Sequence, residues 1–148
     1  MITETLKNLY IRDLNKLKEE LTLYSNEDHI WHIDHMISNS AGNLCLHLIG
    51  HLNTYIGAEF GSTGYIRNRP AEFSLKNIPR IQLISQLDRT IIMIAEVLGS
   101  MTEDQLESEY PQLVLSEKTS TSYFLIHLSM HLSYHLGQVN YHRRLLDH

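Results

Sequence analysis

From Ile2 to Leu23, Leu6, Leu9, Tyr10, Leu14, Leu17 and Leu21 recur at spacings of three and four, with Lys and Glu between them. That spacing gathers the apolar side chains into one stripe and predicts an amphipathic first helix. A polar break follows, and residues 38–43 read Ser-Asn-Ser-Ala-Gly-Asn, side chains that accept from the free N–H groups of a helix start. A second helix is expected from there through Leu44, Leu48, Leu52, Tyr55 and Ile56 to about Phe60, with Gly61 and Gly64 as stop signals. Residues 61–73 carry no period but hold two glycines and Pro70, so they are expected to form a long ordered crossover, the kind of loop that often carries function. Pro79 suits the first turn of a third helix through Leu83, Leu87, Ile91, Ile94 and Leu98, ending at Gly99. Thr102-Glu103-Asp104-Gln105 reads as a capping box, and residues 110–120 as irregular chain, briefly extended at 113–115. Thr119, Ser120 or Thr121 then caps a fourth helix through Leu125, Leu128, Leu132, Leu136, Val139 and Leu145 to about Asp147.

Four helices without a strand signal predict an all-α four-helix bundle, in one domain spanning residues 1–148. A chain of 148 residues can bury a core without disulfides or a structural metal, so a metal here would serve function. Net charge is −5, and the basic residues gather only at Arg67/Arg69 and Arg143-Arg144, which excludes the electrostatic footprint of a nucleic-acid binder. The start carries no basic and apolar leader pattern and no apolar run is long enough to span a bilayer, so a soluble, cytoplasmic protein without membrane contact is expected. The single cysteine, Cys45, forbids an intrachain disulfide and suits a reducing compartment. Its place within an apolar helix predicts a buried, inert thiol.

The chemistry lies in the histidines, ten in all. On a fourth helix His127, His131 and His135 stand one turn above each other, and His47 and His51 repeat the spacing on the second. Three imidazoles converging from two helices would hold a metal and leave a coordination position open for water or substrate. Spacing alone does not choose between His47 and His51, nor between His127/His131 and His131/His135. Neutral imidazole suits zinc, nickel, copper or iron, and a metal so held makes a nucleophile of bound water or thiol near neutral pH. No carboxylate lies at helical spacing beside His131 or His135, which argues against a two-metal carboxylate site or a metalloprotease motif and for one ion. By residue type, Gln138, Asn43, Asn53 and Tyr134 are candidates to orient the imidazoles. Arg67 and Arg69 offer planar forks for a substrate carboxylate, or else a structural partner to Glu72. Tyr65, Trp31 and Phe73 are pocket or core aromatics, and His29, His32 and His35 are expected on the solvated surface.

Three stretches together carry a family likeness: residues 39–50, Asn-Ser-Ala-Gly-Asn-Leu-Cys-Leu-His-Leu-Ile-Gly; Gly64-Tyr65-Ile66-Arg67-Asn68-Arg69 followed by Glu72-Phe73; and the ending His131-Leu132-Ser133-Tyr134-His135-Leu136-Gly137-Gln138. Over nearly its whole length the chain resembles the DinB/YfiT-like superfamily of metal-dependent enzymes, within a subgroup of uncharacterised members. The resemblance implies a bundle of up-down-down-up order, a homodimer, and one divalent metal, nickel or zinc, on three histidines. Members of known chemistry act on low-molecular-weight thiols, as thiol S-transferases or a thiol-dependent isomerase. Carried over, the ligands fall on His47, His131 and His135, with the Gly137-Gln138 tail selecting the last pair over His127. His51 departs from the subgroup, which more often has asparagine there. The function implied is activation of a thiol or water for transfer or hydrolysis on a small molecule, as a thiol S-transferase or hydrolase. The alternative is a non-catalytic metal-binding or structural dimeric bundle, which a fourth ligand from His51 or His127 would favour.

Overall fold

The computed structural model describes residues 2–148, and among them every regular element is helical. Helix α1, Ile2–Leu23, buries Leu6, Tyr10, Leu14, Leu17 and Leu21 as its period requires. A 3-10 turn, Glu27–Trp31, precedes α2, Ala41–Leu52, whose first turn is capped by the Ser40 hydroxyl accepting from the Asn43 amide. The helix then widens into a π-helical stretch, Asn53–Ala58, and tightens again as α3, Glu59–Gly61. The stop falls on Ser62, in the left-handed conformation at φ 48°, rather than on a glycine.

The crossover is more ordered than its lack of period predicts. Asn68 accepts from the Ala71 amide and Pro70 sits in the first turn of a short helix, α4, Arg69–Ser74. Helix α5, Arg80–Ser100, starts directly after Pro79, and Gly99 lies inside its last turn instead of ending it. Thr102 and Gln105 form the expected capping box of α6, Glu103–Glu107. Residues 113–115 form no strand, and the connection holds only an isolated bridge between Glu109 and Ser120. Ser120, of the three residues offered, caps α7, Thr121–Leu146.

Contacts between the long helices fix their directions. The Tyr10 hydroxyl donates to the Leu125 carbonyl (2.5 Å) and Glu20 accepts from Asn140 and Arg143, so α1 and α7 run parallel. Arg80, at the start of α5, donates to the Leu21 and Tyr24 carbonyls at the end of α1, while Lys18 pairs with Asp88, so these two are antiparallel. Asn53 donates to Thr90, and Tyr55 packs edge-on to Phe124 while His47 meets His131, so α2 runs with α5 and against α7. The order is up-down-down-up, with α1 touching α5 and α7, and α2 touching the same two from the opposite corner. Parallel neighbours α2 and α5 demand a connection that returns the length of the bundle, which is why residues 62–79 are long. The core between them is one aliphatic cluster, with Leu14, Leu17, Leu48, Leu52, Leu87 and Leu125 fully buried. Each such side chain contributes roughly 1.5–3 kcal/mol of apolar burial. No described helix is long and apolar enough to cross a membrane.

The C-terminal end of α7 is tied to the connection that follows α1. The Asp147 carboxylate accepts from the Ser25 amide (2.6 Å) and hydroxyl, the Asn26 amide and the His29 ring at 2.9 Å. His29 is therefore a half-buried partner rather than a solvated side chain, whereas His32 and His35 are exposed as expected. Burial alone would raise the Asp147 carboxyl, but these donors together hold it well below the usual carboxylate range. A depressed carboxyl stabilises the fold above its unfolded value, about pH 4, and the contribution fades as pH falls through the folded value. Asp147→Asn is therefore expected to cost about 2 kcal/mol at pH 7 and to flatten the loss of stability below pH 4, read by denaturant unfolding at pH 7 and pH 3.

Candidate metal centre

Because α2 and α7 run antiparallel side by side, the middle of one faces the middle of the other, and there three imidazoles meet. His47 Nε2 lies 3.3 Å from His131 Nε2, which lies 3.1 Å from His135 Nε2. One ligand atom from each of the three falls within 4.8 Å of the others. A tetrahedral metal with bonds of about 2.0–2.1 Å to nitrogen sets its ligand atoms about 3.3 Å apart, so this spacing fits one ion on three imidazoles.

The far side of each ring decides which nitrogen is free. His47 Nδ1 lies 3.1 Å from Glu72 Oε1. The carboxylate only accepts there, which places the ring proton on Nδ1 and leaves the Nε2 lone pair aimed at the cluster. Glu72 is itself gripped by Arg67 through two bonds, Nε to Oε2 (2.8 Å) and Nη2 to Oε1 (2.9 Å), a bidentate pair in a 6%-exposed carboxylate. His135 Nδ1 lies 2.7 Å from Gln138 Oε1, one turn further along α7, and is oriented in the same sense. His131 Nδ1 is buried without a partner among the described residues. Two lone pairs thus face a third ring at a point that a single N–H cannot satisfy, and a cation can.

Electrostatics favour the same state. Burial lowers the His47 imidazole, with Glu72 opposing it, and brings His131 down to about 4, assisted by its neighbouring imidazoles. These rings are held neutral at pH 7, the form that binds metal.

The other sequence candidates take different places. His51 stacks on His131 at 4.2 Å between centroids and meets Tyr55 edge-on, outside the converging set; burial brings it to about 2, and its buried Nδ1 has no partner. His127 stacks on Phe124 one turn before the cluster. Arg67 is not free to clamp a substrate carboxylate, because its fork is taken by Glu72; Arg69 is exposed, over the Phe73 ring at 5.3 Å. Of the four residues considered for orienting imidazoles, Gln138 does so. Asn43 instead donates to the Glu72 and Leu75 carbonyls, pinning α4 to α2, and Asn53 bonds Ile49 and Thr90. Tyr134 is exposed and touches His135 edge-on. Phe73 packs on His47, Trp31 is core, and Tyr65 is exposed. Cys45 is fully buried and its thiol is pushed up to about 12 by burial, which makes it inert.

Sequence reasoning treated Glu72 only as an ion-pair partner and passed over Gly50. A Cβ at Gly50 would stand 1.9 Å from Glu72 Oε2, so this glycine opens the notch that lets the carboxylate reach His47. The available signal was a glycine inside an apolar helix, three residues after His47 and on the same face.

The fold and site define a class, the helical bundle with a three-histidine centre between two of its helices. Residues 4–148 match the family described as a protein of unknown function, DUF1572, and the chain belongs to that family. No curated protein matches it.

Proposed function

We propose that this protein is a mononuclear metal-dependent enzyme of the DinB/YfiT-like kind, with His47, His131 and His135 holding one divalent ion, nickel or zinc. It acts in the cytoplasm on a small molecule, and the DinB/YfiT-like resemblance favours a homodimer. The observation that carries this reading is the convergence of three imidazoles, two of them anchored from behind by Glu72 and Gln138, with no fourth protein ligand in the group among the described residues. An ion held by His47, His131 and His135 would lower the pKa of a bound thiol or water, the chemistry that S-transfer or hydrolysis needs at neutral pH. The chain's own contribution is orientation. Glu72 and Gln138 fix the ring tautomers of His47 and His135, Arg67 holds Glu72, and Phe73 and His51 shield the rings. A storage or structural site would call for a closed fourth position, and His51, the nearest imidazole to offer one, is stacked instead of converging.

Metal content measured on untagged protein tests the assignment. Wild type is expected to hold about one equivalent, His47→Ala to lose it, and His51→Ala to retain it. Equal metal in all three, or none in the wild type, overturns the three-histidine reading.

A further inference from the structure

A cavity of about 460 Å³ opens beside the cluster, between residues 36–39 ahead of α2 and the C-terminal half of α7. His135 and Gln138 form part of its wall, so a ligand seated there lies one side chain from the three imidazoles. The rest of the wall is mostly apolar, with Leu44, Tyr134, Tyr141 and Leu145. Among the described residues no Lys, Arg, Asp or Glu lines it; Arg144 stacks on the Tyr141 ring at 5.0 Å and is not part of the wall. His142 also borders the space, but both ring nitrogens are engaged, Nδ1 with the Tyr24 hydroxyl at 2.6 Å and Nε2 with the His32 carbonyl at 2.8 Å. The volume is that of a small-molecule site. A charged group there would find no counter-charge on the wall, whereas a flat apolar body would cover two tyrosine rings and the Leu145 side chain, all exposed in the free protein. Gln138 gives its oxygen to His135 and keeps its amide N–H groups for the polar end of a ligand.

We infer that this cavity receives the uncharged aromatic or aliphatic body of the substrate, so that a thiol seated there is a neutral apolar one rather than a charged carrier thiol. The inference rests on the metal-centre reading only for the identity of the reacting group; the selection against charge belongs to the cavity.

The test separates the two. Metal-free protein is titrated with benzyl mercaptan and with 2-mercaptoethanesulfonate, followed by amide ¹H–¹⁵N spectra. The expected result is saturable shifts at Leu44, Gln138 and Leu145, with at least a tenfold lower Kd for the neutral thiol. Leu145→Glu, an exposed position, is expected to remove that preference while Leu145→Met keeps it. No saturable shifts, equal response to both thiols, or an unchanged preference in Leu145→Glu overturns the inference. Cobalt-loaded protein then reports on the metal separately, through a thiolate-to-cobalt absorption band on adding benzyl mercaptan. Shifts without any cobalt binding leave the apolar cavity standing and remove the metal reading. Cobalt binding without thiol selection does the reverse.

Discussion

Replacing His131 by alanine is expected to weaken metal binding at least about a hundredfold while leaving the bundle folded. His131 is the vertex of the cluster, the ring whose Nε2 lies within 3.3 Å of both other Nε2 atoms. Its loss leaves His47 and His135 as a pair from different helices with the shared neighbour gone. Affinity should fall by more than the ten- to hundredfold typical of losing a group that merely orients a ligand. Stability should change little. The ring is only half-buried, its Nδ1 has no partner to lose, and the aliphatic core between α1, α2, α5 and α7 continues above and below it. A cost of about 1 kcal/mol is in keeping with a truncation of this kind. Chelator competition gives the affinity, and far-ultraviolet circular dichroism in metal-free buffer gives the fold. Stoichiometric metal in the variant would remove His131 from the site; an unfolded variant beside a folded wild type would make the histidines structural.

The long helices were legible because each displays several turns of apolar period, and a stripe that long is hard to mistake. Helix α4 was not, since six residues show no period and its only local marks are the Asn68 cap and Pro70, read there as part of a loop. The π-helical stretch at Asn53–Ala58 was hidden for another reason, because widening a turn barely changes the order of apolar residues along the chain. The histidine stripe was visible, but His47 and His51 lie four apart on one helix face and differ only in what α7 brings opposite them. His127 and His135, each four residues from His131 on α7, likewise differ only in what α2 brings opposite them. That choice is tertiary, and only the family resemblance, through the Gly137-Gln138 tail, narrowed it. Gln138 proved to be the side chain that bonds His135. Glu72 stayed out of view because it meets His47 across 25 positions of chain, through a short helix the pattern did not show.

The second large effect is expected at that carboxylate. Glu72 is buried between the Arg67 guanidinium and the His47 ring, so Glu72→Ala strands one cation and one ring N–H together. Breaking a buried pair from one side costs about 3–5 kcal/mol; Arg67 retains some exposure, so about 3 kcal/mol is expected in metal-free buffer. Metal affinity should drop a further ten- to hundredfold as the His47 ring loses its anchor. Gly50→Ala should produce the same two losses in smaller measure, because the added methyl falls on Glu72 Oε2 and must push the carboxylate off His47. The combination is the sharper test. With Glu72 already alanine, nothing remains for the methyl at position 50 to strike, and alanine in a helix is favoured over glycine by roughly 0.5–1 kcal/mol. Gly50→Ala should therefore be harmful alone and neutral or stabilising in the Glu72→Ala background, a reversal of sign that denaturant unfolding of the four proteins can read. Additive losses would mean that Gly50 serves some other contact, and that the notch in α2 is not what positions the carboxylate behind His47.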